Sequence, residues 1–344
     1  MTQIDDASVQ LGETIGMPDP GVLAPEEFDR QFGDYGKKHR NRGGDLGNGQ
    51  TKNSTSKTKI RNTLIGLSFI APNFIGFAVL TLVPILIMFY MSLTDWNIFG
   101  SSQFVGLANY RRLLTDPSFH VALRNTFFYA IIHIPVTLVA SLGLALLLNQ
   151  KIRGVAFFRT VAFFPYITSI VAIAAVWNML FAPTGLINQF LRFIGVSNPP
   201  GWTVSTTWSI PAILIVQTWR FMGYYMLLLL AGLQTVPAEL HEAARMDGAN
   251  TWQRFWNVTI PCLRPTLFFV IVMLTINAFR VFDLVLVMTN GGPGQSSLVL
   301  SQYIWQRGFE QNQFGYASAV SVVLFAICIL ITLFQFFWNK RQEA

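Results

Sequence analysis

Between two long apolar runs the chain reads Val236-Pro-Ala-Glu-Leu-His-Glu-Ala-Ala-Arg-Met-Asp-Gly248, and it continues through Asn250 and Trp252 to Val258-Thr-Ile-Pro261. Pro237 suits the first position of a helix, and Glu239 in the first turn complements the positive end of the helix dipole. Gly248 tolerates a positive φ and should end that helix. Asn250, with Gln253 three residues on, has the arrangement of a capping box for a second short helix. Trp252, Phe255, Trp256 and Thr259 then recur at helical spacing, and Pro261 is expected to stop the run before re-entry into the membrane at Thr266. Such a polar helix-turn-helix suggests a docking surface for a partner outside the bilayer. Ala243 and Ala244 lack bulk, so a partner could approach the backbone closely, and Glu242 offers a charge to a basic one.

The flanking runs set the fold class. Hydrophobic residues make up 52% of the 344 and charged residues only 12%, with a mean hydropathy of +0.44. A soluble domain carries about 25% charged residues, so this composition belongs in lipid. Six runs reach the roughly 20 residues that a bilayer core demands. They are about Leu64–Met91, Thr126–Leu148, Thr160–Phe181, Ser209–Gly232, Thr266–Thr289 and Tyr316–Trp338. A buried soluble helix could imitate one of them but not six. The expected architecture is an all-α membrane protein of six transmembrane helices over residues 62–340, with the loop at 236–265 on one side.

Loop charges orient it. Close to the span ends, from Lys52 onward, twelve Lys and Arg fall on the side of the Glu242 loop and five on the other, so that loop and both termini are expected in the cytoplasm. Residues 1–61 differ in kind. The first 34 hold eight acidic side chains and one Arg, while residues 35–61 hold eight Lys or Arg against a single Asp45. Such a segment buries too little apolar surface to offset its ordering entropy, so it is expected to be disordered. Its basic half could lie against anionic lipid headgroups or simply enforce topology. No apolar core of a signal peptide stands near the start. Cys262 and Cys328 fall at different membrane depths and share no metal-ligand spacing with the histidines.

The spacing around Glu242 is specific. Glu242-Ala243-Ala244, three residues, Gly248, nine residues, Val258, one residue, Ile260-Pro261 resembles the signature loop of binding-protein-dependent ABC importer permeases. Val258 and Ile260 replace the family's Ile and Leu. Ser92-Leu-Thr-Asp-Trp96, Phe104-Val-Gly-Leu-Ala-Asn-Tyr110, Ala231-Gly-Leu-Gln-Thr-Val-Pro237, Phe282-Asp283 with Thr289-Asn-Gly-Gly-Pro293, and Gly315-Tyr-Ala-Ser-Ala319 are similar to one carbohydrate-uptake subfamily, the maltose and glycerol-phosphate type. Among these the fifth-span exit is like that of the first of the two paired permeases.

The resemblance implies a type I importer in the plasma (inner) membrane of a bacterium or archaeon. Its parts would be this permease, a second homologous permease, two cytoplasmic ATPases and an external sugar-binding protein. Membrane lipids would surround it, and no nucleic-acid partner is expected. ATP and its Mg²⁺ would be used by the ATPases, since the chain has no Gly-x4-Gly-Lys-Ser/Thr phosphate loop. This subunit would hold no cofactor and catalyse nothing. Glu242, Ala243, Ala244, Asp247 and Gly248 would couple it to the ATPase.

The substrate path is less specified. Charges inside a span are costly and face a cavity or a partner. Only Arg220, Arg280 and Asp283 qualify. Arg280 and Asp283 lie three apart on an expected single helix and should pair. Trp219 and Tyr224 flank Arg220 and could stack on a pyranose or pack against the partner permease. Asn277 is a further candidate, with Asn178 and Gln217 behind it. If Asp283 matches Arg280, one cation remains free, and the expected substrate is a neutral oligosaccharide. An ion-coupled secondary transporter should show an internal repeat, and a membrane-embedded enzyme should show clustered acids. The sequence shows neither.

Overall fold

The computed structural model describes residues 56–97, 100, 102–150 and 153–343. Helix α1 (Ser56–Phe77) belongs to an N-terminal unit ending at Val79, and the remaining helices form a second unit from Leu80. The acidic and basic tail lies outside the described residues as far as residue 55. Its last six residues are helical, because α1 already starts at Ser56.

The second unit contains α2 (Val83–Ser92), α3 (Ala108–Thr115), α4 (Pro117–Leu148), α5 (Val155–Ile167), α6 (Ile170–Phe181), α7 (Leu186–Phe193) and α8 (Ser209–Gln234). It continues with α9 (Ala238–Met246), α10 (Thr251–Arg254), α11 (Ile260–Phe279), α12 (Asp283–Met288), α13 (Leu300–Trp305) and α14 (Phe314–Glu343). Six helical stretches are long and apolar enough to cross a membrane, as expected. Among the described residues there is no strand beyond one isolated bridge, Thr94 to Phe104.

Helix α8 is the hub. Half of its apolar stretch is buried, a larger share than in any other span, and it packs on α4, α5, α11 and α12. Glycine sets two of these crossings. A Cβ at Gly223 would fall on the Ala162 carbonyl of α5, and one at Gly232 would meet Thr266 and Leu263 of α11. The close approach brings aromatic side chains of α5 and α8 into contact.

Several span boundaries differ from the sequence expectation. The second span starts at Pro117, nine residues before Thr126, because Asp116 caps it by accepting from the Ser118 and Phe119 amides. The third run is two helices. Pro165 lacks an amide donor, the Thr168 hydroxyl takes the Phe164 carbonyl, and Thr168 turns extended at ψ 146°. The fifth span begins at Thr251 instead of Thr266 and is continuous through Pro261. A π-helical turn, Phe255–Thr259, precedes that proline. Its wider register accommodates a ring that would clash within a regular α-helix.

The fifth run also ends early. Helix α11 stops at Phe279, Arg280 caps it at φ −100°, and Phe282 departs at φ −145°, ψ −64° before α12 begins. Arg280 and Asp283 therefore do not share a helix face. The expected ion pair is absent, and both side chains are exposed.

The end of the molecule opposite α9 is tied by polar bonds. Asn109 donates to the carbonyls of Ser92 and Thr94, and Asn125 donates to those of Gln295, Ser296 and Leu298. Asp116 accepts from Tyr303, Tyr316 and Arg307. The Gly315 amide donates to the Trp96 carbonyl at 3.0 Å, so two of the subfamily-like segments, at residues 92–96 and 315–319, meet here.

Candidate coupling loop and translocation path

Helix α9 carries Glu242, Ala243 and Ala244, and none of its residues is buried. Met246 is 89% exposed, so nothing among the described residues covers it. The helix ends as the sequence predicts. Asp247 is the C-cap, Gly248 stands at φ +78°, its amide donates to the Arg245 carbonyl at 3.0 Å, and Ala249 donates to Ala244 at 2.9 Å. These paired bonds satisfy carbonyls that the last turn would leave bare.

Asn250 then forms the expected capping box. Its side chain accepts from the Gln253 amide at 2.8 Å, and Gln253 accepts from the Asn250 amide at the same distance. Trp252 and Trp256 are both at least half exposed and form an edge-to-face pair at 5.7 Å. A cavity of about 540 Å³ separates this aromatic edge from Leu146 and Gln150 at the end of α4, with His241 on its wall. The five expected coupling residues are therefore brought together on one capped, solvent-facing unit.

The expected path residues are brought together only in part. Trp219 packs edge-on against Trp177 at 5.5 Å. Tyr224 stacks on Tyr166 of α5, with centroids 4.5 Å apart and planes 15° from parallel. The Arg220 guanidinium lies 5.1 Å from the Phe221 ring and 6.0 Å from Tyr166. Asn277 donates to the Tyr225 hydroxyl at 2.9 Å and so joins α11 to this group. Arg280 lines a different feature, an apolar groove of about 590 Å³ between α11 and α14. Asp283 lines none of these.

Sequence reasoning missed Tyr166, Phe221, Tyr129 and His133. Tyr129 stacks on His133 at 5.0 Å, and His133 faces Phe221 at 6.3 Å. They come from three helices, so no spacing along the chain marks them. The Tyr129 hydroxyl, Asn178 Oδ1, Gln217 Oε1 and Arg220 Nε are all buried without a hydrogen-bond partner. Unsatisfied groups of this kind are rare in a packed core and common where something else is received. Among the described residues no three His, Cys, Asp or Glu side chains form a metal-holding group.

Residues 139–343, which hold both the loop and most of the aromatic group, match the family described as binding-protein-dependent transport system inner membrane components. The chain belongs to this family. It is 36% identical over 294 residues to a probable ABC transporter permease protein, YesP, of Bacillus subtilis strain 168, covering 84% of this chain and 95% of that protein. It is 35% identical over 298 residues to the lactose transport system permease protein LacF of Rhizobium radiobacter, covering 84% and 99%. A chain in the crystal structure of a bacterial ABC transporter for import of the acidic polysaccharide alginate shares the fold. The TM-score is 0.72 at 21% identity over 83% of this chain and 98% of that one.

This permease is thus a membrane component of a multi-subunit transport system and not itself a catalyst. The ion-coupled secondary transporter raised by the sequence loses its support. The exposed α9 unit and the aromatic group beside α8 are the two features of the permease that call for a partner.

Proposed function

We propose that this permease moves a sugar, an oligosaccharide or related carbohydrate, from an external binding protein into the cytoplasm, driven by ATP hydrolysis on separate subunits. The bare α9 carries the reading. A capped helix with no buried residue is stable as a lever only when another protein encloses it. Glu242, Ala243, Ala244 and Gly248, with Asp247 in support, seat that helix in a cleft of a cytoplasmic ATPase. The ATPases use ATP with Mg²⁺, and closure of the ATPase pair moves α9 and rocks the attached spans between outward-open and inward-open states. A second, homologous permease completes the path.

The loop charges support a cytoplasmic α9 and cytoplasmic termini in a bacterial or archaeal plasma membrane. A carbohydrate is supported by the lactose permease among its relatives and by the ring faces at Tyr166, Tyr224 and Trp219. Apolar faces of a pyranose stack on such rings, and phenolic hydroxyls supply hydrogen bonds.

The test is ATP-dependent uptake of labelled oligosaccharides by the assembled importer in proteoliposomes, wild type against Glu242→Lys. The variant should reach the membrane with unchanged helix content yet lose uptake and ATPase co-purification. Undiminished uptake would remove α9 from the coupling path. Absence of saccharide uptake by the wild type would remove the sugar.

A further inference from the structure

Arg220 lies in the middle of α8, eleven residues beyond Ser209 in a helix of 26. Among the described residues it makes no hydrogen bond and no carboxylate lies within 4.0 Å of it, and its Nε is buried without a partner. Its close neighbours are the rings of Phe221 and Tyr166. Ring faces soften the burial of a guanidinium but accept none of its N–H groups. A cation held this way inside a membrane span is a functional site by default, because insertion selects against it.

Arg280 is not a second cation of this kind. It stands past the end of α11, is exposed, and lines the separate groove toward α14, without the Asp283 partner expected from sequence.

We propose that Arg220 receives an anionic group on the translocated saccharide, a uronate carboxylate or a phosphate ester. This rests on the sugar reading above and narrows it. A guanidinium presents parallel donors that match a carboxylate or phosphate in two-point fashion, and the stacked Tyr166–Tyr224 pair lies beside it. A neutral saccharide brings no counter-charge and leaves the guanidinium uncompensated throughout transport. The neutral substrate expected from sequence depended on an Arg280–Asp283 pair, which does not form.

The experiment uses the full importer with its partner permease, ATPases and binding protein in proteoliposomes. Neutral, uronate-containing and phosphorylated oligosaccharides of equal length are supplied separately. Wild type should favour one anionic class, which identifies the group. Arg220→Gln should lower the ratio of anionic to neutral uptake by roughly tenfold or more, and Arg220→Lys, which keeps the charge but not the two-point geometry, should restore only part of that ratio. Import of neutral saccharides alone by the wild type would overturn the proposal. So would an equal loss of both classes in Arg220→Gln, or release of the partner permease from that variant, which would place Arg220 at a permease interface. If no saccharide enters at all, the sugar reading itself fails, a result distinct from neutral uptake without anionic preference.

Discussion

The Tyr303 hydroxyl donates to the Asp116 carboxylate at 2.5 Å across 187 residues of sequence. Tyr316 donates to the same oxygen at 2.7 Å and Arg307 at 3.1 Å, so one carboxylate ties the start of α4 to α13 and α14. Burial pushes the Asp116 carboxyl up, but the two tyrosine hydrogen bonds and the Arg307 charge outweigh it and hold the group below its ordinary value. The Tyr303 hydroxyl is pushed up to about 12, by burial first and by Asp116 second, so it remains a donor at neutral pH. A depressed carboxylate contributes stability above its unfolded value and loses it as pH falls through the lower folded value. Amide protection around residues 300–310 should therefore hold from pH 7 to 5 and fall below about pH 4. Asp116→Asn keeps the helix cap but not the charge. It should lower that protection between pH 5 and 7 by about 1–3 kcal/mol, and the difference should shrink as pH falls through the wild-type transition. Equal protection in variant and wild type at pH 7 would count against the tie.

Gly248 should tolerate a side chain but not a ring. Nothing lies within 4 Å of a Cβ built there, so the cost of Gly248→Ala comes only from φ +78° and should be about 1–2 kcal/mol, confined to α9. Gly248→Pro fixes φ near −65° and removes the donor to Arg245, costing about 3 kcal/mol or more. Hydrogen exchange should show α9 frayed in the proline variant with the spans unchanged, and ATP-driven uptake should vanish. Normal uptake by Gly248→Pro would exclude α9 as the lever.

Gly223 has the opposite constraint. Its φ is ordinary, but a Cβ would fall on the Ala162 carbonyl. Gly223→Ala should push α5 off α8, at a cost of about 1–3 kcal/mol, and separate Tyr166 from Tyr224. Thermal unfolding in detergent and quenching between these rings would register it. An unchanged melting temperature would mean that the two helices are not locked at this point.

Asn277 and Tyr225 should act as a pair. Removing the hydroxyl with Tyr225→Phe or the amide with Asn277→Leu should each cost about 1 kcal/mol, and the double variant should cost less than the sum of both. Additive losses in a thermal-melt cycle would show that the bond between α8 and α11 contributes nothing in the assembled protein.

The stretch at residues 236–253 was legible almost to the residue. Its signals are local: Pro237, Gly248, Asn250 and Gln253 each satisfy or release a backbone group within four positions. The aromatic group was not legible, because Tyr129, Tyr166 and Phe221 sit on three helices and meet only where α4 and α5 pack on α8. Pro261 misled for a related reason. A proline ends a regular helix, but the π-helical turn before it gives the ring room, and no residue type in Phe255–Thr259 announces that turn.

The sequence by itself determined that this chain lives in a membrane as six helical spans, since in lipid a backbone must satisfy its own hydrogen bonds. It also determined the capped helix pair that carries Glu242. Tertiary structure alone decided where the apolar runs break and what the intramembrane charges face. Both depend on direction in space: a single turn of irregular backbone at Phe282 sends Asp283 away from Arg280, whatever their spacing in the chain.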